Sequence, residues 1–191
     1  MNTLYYGDNF ESLPYRIFLD SNILQILQEY GAYIWDNDIE IIDDMDDRNK
    51  VRNIIALHDI FTLSFGNSFE FALSQNSIEE VFDKGDKSYL QWAFDVLDYW
   101  MSCIDEYRNL EAFSGEGKKL LKKINEECFN YLSKKDKALF FDAVVLECDA
   151  FLTMEIKVWK NRKHIESKLD IEVFQPYEYW EILRPFAALW T

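Results

Sequence analysis

The sequence predicts an α/β fold built on a parallel sheet, and three observations carry that expectation. Two short apolar runs, IFL at 17–19 and AFL at 150–152, each pass through polar or acidic residues into helix-forming sequence, the pattern of a buried strand leading into a helix. The last third of the chain alternates helix, strand, helix, strand, and strands separated by helices pair in parallel. Only six Gly and three Pro occur in 191 residues, too little turn material for the many hairpins of an all-β fold.

In chain order, RIFL at 16–19 is the first strand. IFLDSN then raises a choice. Asp20, Ser21 and Asn22 suit the cap of a helix start, yet an Asp at the carboxyl end of a strand also stands where open α/β sheets bind ligands. NILQILQEYGAYI places Ile23, Leu24, Ile26 and Leu27 on one apolar face and predicts a helix ending near Gly31. RNKVRNIIALHDIFTL, 48–63, repeats its apolar residues at helical spacing. NSFEFALSQNSIEEVFDKGDK supplies a short apolar piece, a polar turn and a helix from about Ile78. Residues 88–111 read as a long aromatic-rich helix, broken at Gly115 and Gly117, with a basic amphipathic helix over about 118–132. KKDKALFFDAVVLE reads as a helix, CDAFLT as a strand, EIKVWKNRKHIESKL as one helix, and IEVFQP as a terminal strand closed by Pro176.

At 49% hydrophobic and 17% aromatic residues, the chain can build a sizeable core in one domain. No apolar run reaches membrane-spanning length, and MNTLYYGDNF lacks the pattern of an export signal. A cytoplasmic protein is expected. Cys103, Cys128 and Cys148 are odd in number and widely spaced, which predicts free core thiols rather than disulfides or zinc. His58 and His164 lie far apart in separate predicted helices, so histidine acid–base chemistry is not indicated.

The formal charge of −15 excludes a general nucleic-acid coat. That charge is uneven. DNDIEIIDDMDD concentrates acids at 36–47 but has no glycine at the turn position of a calcium loop. Lysine pairs at 118, 122 and 134 and the segment WKNRKH at 159 leave room for a basic rim.

Four acids stand in similar settings. Asp20 follows the first strand, and Glu155 follows the strand end in AFLTME. Glu80 lies just after the polar Ser-Gln-Asn-Ser turn, and Asp142 interrupts the apolar face formed by Leu139, Ala143 and Leu146. Two carboxylates about 4 Å apart repel by about 4 kcal/mol at an effective dielectric of 20. A hard divalent cation offsets that repulsion, because magnesium and manganese bind carboxylate oxygens while keeping several waters.

These stretches, IFLDSNIL, LSQNSIEEV and FFDAVVLECDAFLTMEIKVWKNRKHIESKLDIEVFQP, resemble the PIN domain (PilT N-terminus), common among toxin ribonucleases of toxin–antitoxin pairs. The resemblance implies a three-layer α/β/α fold with a central parallel sheet, in a single domain over 1–191 with a helical insertion at about 88–131. It implies that Asp20, Glu80, Asp142 and Glu155 bind one or two Mg2+ or Mn2+ ions and that a bound water attacks a phosphodiester of single-stranded RNA. Asn22 and Thr153 would support the site or cap helices. Lys157, Lys160, Arg162 and Lys163 would contact RNA phosphates or form a solvated face.

An antitoxin protein and a second copy of the chain are the partners such a toxin would have. Two departures from the family stand out: Glu155 replaces an Asp, and Glu79 adjoins Glu80, so that spacing after Ser74 decides between them. The alternative is a PIN-like scaffold with weak or absent cleavage that acts through protein partners. A phosphatase of the haloacid-dehalogenase type fits less well, since it needs an Asp where Asn22 stands.

Overall fold

A computed structural model describes residues 12–64, 69–74, 76, 77, 80, 91 and 115–189. The sheet has four strands, all parallel: β1 Arg16–Leu19, β2 Glu70–Ala72, β3 Ala150–Leu152 and β4 Glu172–Phe174, in spatial order β2-β1-β3-β4. β1 is therefore flanked on both sides. Phe18 lies opposite Ala72 on one side and Phe151 on the other.

The described helices are α1 Ser21–Glu29, α2 Gly31–Asp36, the single turn α3 Glu40–Asp43, α4 Arg48–Ser64, α5 Gly115–Ile124, α6 Lys134–Val145, α7 Ile156–Lys160, α8 Arg162–Leu169 and α9 Pro176–Leu183. Right-handed crossovers send α1–α4 to one face of the sheet, because the chain steps from β1 to β2. The steps from β2 to β3 and from β3 to β4 run the other way, so α6, α7 and α8 cover the opposite face. The result is a three-layer α/β/α arrangement, as the sequence predicts.

Strand alternation matches these layers, since successive side chains point to opposite faces. Phe18 and Phe151 stack at 5.3 Å, and Phe140 of α6 stacks on Phe151 at 4.2 Å. On the other face Phe71 meets Phe61 of α4 at 4.7 Å, and Phe174 meets Tyr179 of α9 at 5.9 Å. α9 packs along α4 and completes that layer.

Several boundaries differ from the sequence reading, each for a local reason. α1 ends near Gly31 as expected, at Glu29 with its cap at Tyr30, but Gly31 opens a further helix, α2, which closes at Asn37 in a left-handed conformation. The short apolar piece contains a strand, β2, at Glu70–Ala72. Gly115 and Gly117 lie inside α5, and the basic helix expected to 132 stops at Ile124, followed by a short 3-10 turn at Glu127–Phe129. The predicted helix after Glu155 is two helices, parted at Asn161, whose side chain donates to the carbonyl of Lys157 instead of continuing the ladder. Pro176 does not merely close the last strand. It starts α9, where its fixed φ and missing N–H suit the first helical position.

Cys148 is buried and free as expected, whereas Cys128 is exposed, not in the core. Cys103, Glu79, Ile78 and most of the aromatic stretch expected at 88–111 lie outside the described residues. Among the described residues no helix is long and apolar enough to cross a membrane.

Candidate functional site

The carboxyl ends of β1 and β3, the two central strands, are pinned together by one polar cluster. The peptide N–H of Asp20 donates to the carbonyl of Leu152 at 3.0 Å, extending the pairing one residue beyond the strand. Asp20 occupies the cap position of α1, yet its side chain caps nothing. Instead its Oδ2 accepts from Thr153 Oγ1 at 2.5 Å and from Asn22 Nδ2 at 2.6 Å. Ser21 Oγ stands 3.5 Å from Oδ1, a weak contact. The choice posed by IFLDSN is thus resolved against capping.

Thr153, completely buried, is the hub. Its hydroxyl donates to Asp20, accepts the backbone N–H of Glu155 at 2.9 Å and receives a longer bond from Asn22 Nδ2 at 3.3 Å. Asn22 closes the loop from the other side, its Oδ1 accepting the N–H of Met154 at 2.9 Å. With Oδ2 doubly engaged, Oδ1 is the less encumbered oxygen of Asp20.

Burial pushes the Asp20 carboxyl up from 3.8 to about 6, against the lowering effect of the Thr153 bond; the negative charges of Glu80 and Asp136 push it further, and the Asn22 bond lowers it. Glu80 is mostly buried and faces Lys135 Nζ at 3.8 Å. Asp136 belongs to the first turn of α6, where it forms a reciprocal cap with Ser133: Ser133 N–H donates to Asp136 Oδ2 at 2.7 Å, and Asp136 N–H donates to Ser133 Oγ at 3.0 Å. Sequence pattern does not single out Asp136. Its signal, Ser133-Lys-Lys-Asp136, reads as a helix start and says nothing of Asp20 across the fold.

Asp142 is buried on α6, and its Oδ2 accepts from Asn76 Nδ2 at 2.7 Å. That bond ties the segment four residues before Glu80 onto α6. Glu155 sits at the cap position of α7, exposed, with no side-chain cap bond. Among the described residues no three His, Cys, Asp or Glu side chains approach closely enough to form a closed metal-binding set. The donor chemistry around Asp20, carboxylate and hydroxyl oxygens with the Asn22 amide, fits a hydrated hard cation that keeps several of its waters.

The basic residues expected at the rim divide. Lys157, Lys160 and Lys163 are exposed. Arg162 is committed elsewhere: it stacks over the Trp159 ring at 4.6 Å, donates to the Trp159 carbonyl at 3.2 Å and pairs with Glu178 at 3.7 Å. A cleft of about 310 Å³ opens beside the cluster, lined by Asn22, Ile26, Asn49, Lys50, Met154 and Ile156 among others. Both histidines are structural, His58 Nδ1 bonding the Ile34 carbonyl at 2.8 Å and His164 Nδ1 bonding Tyr131 Oη at 3.0 Å.

The fold and this cluster define an α/β protein with an acid-rich site at the carboxyl edge of its parallel sheet. Neither a protein-family model, nor a curated protein, nor a solved structure matches the chain.

The raised pKa of Asp20 makes a signed prediction. Between pH 3.8 and about 6 the folded state binds more protons than the unfolded one at this residue, so stability falls as pH rises through that window. Above pH 6 the full cost of the buried charge is present, about 3 kcal/mol from the size of the shift. Urea denaturation of the metal-free chain at pH 5 and pH 7.5 should show about half of this loss, about 1.4 kcal/mol, and Asp20→Asn should flatten it. A slope unaffected by Asp20→Asn would assign the pH dependence to other carboxylates.

Proposed function

We propose that this chain is a metal-dependent endoribonuclease that hydrolyses phosphodiester bonds of single-stranded RNA. One observation carries the reading: Asp20 is a buried carboxylate at the carboxyl end of a central strand, held by Thr153 and Asn22, which do not neutralise it, and raised by burial and then by its acidic neighbours. A group in that state gains more from a divalent cation than from any hydrogen bond it makes.

Asp20 would hold magnesium or manganese together with waters the ion keeps, the negative charges of Glu80 and Asp136 favouring the cation from further off, with Glu155 at the rim. A bound ion of this kind makes a coordinated water a better nucleophile and stabilises charge on the phosphodiester oxygens. Thr153 and Asn22 orient Asp20 by occupying Oδ2, which leaves Oδ1 the freer oxygen for an ion. Asp142 acts through Asn76, keeping the Glu80 segment against α6. Because Asp20 ionises near pH 6, cation binding should strengthen as pH rises through that value. The setting implied by the PIN resemblance is the toxin of a toxin–antitoxin pair, with a protein partner, or a second copy of the chain, covering the same edge.

The absence of a closed three-acid set among the described residues favours a second reading, a PIN-like scaffold that binds a cation but cleaves weakly or not at all. Incubating unstructured RNA with the chain in manganese, and in excess chelator, separates the two. Cleavage that needs the ion supports the nuclease. Thermal stabilisation by manganese without cleavage supports the scaffold, and full cleavage in chelator would sink the metal mechanism.

A further inference from the structure

In a chain with 20 basic and 35 acidic residues, residues 118–137 hold seven lysines against three acids. The structure gathers these lysines on two packed elements, α5 and the first turn of α6. Lys118, Lys119, Lys122 and Lys123 are exposed along α5, and Lys134 is exposed at the start of α6. Among the described residues none of these ammonium groups, nor that of half-buried Lys137, forms an ion pair or a hydrogen bond. With so many carboxylates in the chain, such a set of unpaired cations calls for a physical reason.

Local helix energetics do not provide one. Lys118 with Lys122, and Lys119 with Lys123, are like-charge pairs four residues apart, a spacing that destabilises a helix. Lys134, Lys135 and Lys137 sit at the positive end of the α6 dipole, where cations are disfavoured. A polyanion lying across both elements offsets both penalties at once.

The patch also reaches the site. Lys135 pairs with Glu80 at 3.8 Å, and Glu80 acts on Asp20. A phosphate chain bound along α5 and the α6 turn would therefore run toward the acids. We infer that the lysines of α5 and the α6 N-terminus bind the phosphate backbone of single-stranded RNA and lead it to the Asp20 cluster, an inference that rests on the nuclease reading for the identity of the polyanion.

The test measures binding of a fluorescent unstructured RNA oligomer by anisotropy, using the full chain carrying Asp20→Asn so that cleavage does not intervene. A second protein adds Lys118→Gln, Lys119→Gln, Lys122→Gln and Lys123→Gln. Affinity at about 50 mM salt should fall on the order of tenfold or more, and the slope of log K against log salt should become shallower by about 0.7 for each phosphate that is no longer neutralised. Arg at the same four positions should restore both, which a merely misfolded variant would not allow.

An unchanged affinity and slope would overturn the inference, as would failure of the parent protein to bind RNA at low salt. Binding to phosphatidylserine vesicles in place of RNA would overturn it in favour of a membrane surface. Lysine-dependent RNA binding by an unsubstituted chain that never cleaves would keep the patch and remove the nuclease reading, so the two fail separately.

Discussion

Asp20→Asn should yield a chain that is more stable than its parent without metal at pH 7.5 and inert toward RNA. Asn keeps the size of the side chain, and its carbonyl can accept from Thr153 and Asn22 in place of Oδ2, so no cavity opens. What is removed is a buried charge whose pKa stands at about 6. Relief of that charge, less the weaker bonds to a neutral acceptor, should stabilise the fold by about 1–3 kcal/mol, or about 2–4 °C in Tm for each kcal/mol in a chain of this size.

Cleavage should fall by more than the about 10- to 100-fold typical of residues that only support a metal ligand, and the rise in Tm with manganese should vanish. Gain of stability with loss of function at one residue is the mark of a site kept against the interest of the fold. A variant that is destabilised yet still stabilised by manganese would place the ion elsewhere.

Thr153→Val should have the second largest effect, and in the opposite direction for stability. The substitution keeps the shape but deletes a hydroxyl that makes three bonds, one of them to the Asp20 carboxylate at 2.5 Å. Losing a hydrogen bond to a charged group should cost about 2–3 kcal/mol above pH 6. Without its main lowering partner, Asp20 should titrate higher still, so the pH at which activity appears should move upward while Thr153→Ser retains the parental profile. Cleavage at neutral pH should drop about 10- to 100-fold. A urea midpoint within error of the parent would show that the hub holds nothing in place.

β1, β3 and β4 were legible because apolar runs of three or four residues between helical patterns have few other uses in an α/β chain, whereas β2, three residues long with Glu70 exposed, read only as a short apolar piece. Asp20 was legible as a candidate for the same reason. Its role was not, because capping and chemistry draw on the same residue types; only the absence of a side-chain cap bond and the presence of Thr153 across the sheet decide it. Asp142 stands out as an acid on an apolar face, but burial is compatible with a good partner, and Asn76 is that partner. Asp136 is hidden in the sequence because a helix-start acid is ordinary until the fold lets its charge act on Asp20. The break at Asn161 leaves no mark in hydrophobic spacing, since α7 and α8 each bury one or two residues only.

The place of β1 between β2 and β3 has a consequence for biosynthesis. A strand made early, at residues 16–19, finds its second neighbour only when residues 150–152 have left the ribosome. Thr153 and Met154, which anchor Asp20 and Asn22, follow at once. Pairings of such long sequence separation form slowly and late, and synthesis proceeds at about 5–20 residues per second. Throughout that interval the nascent chain carries its acids without the clasp that orients them. An RNA-cutting activity assembled this way would stay silent until the residues that orient Asp20 and Asn22 have been made.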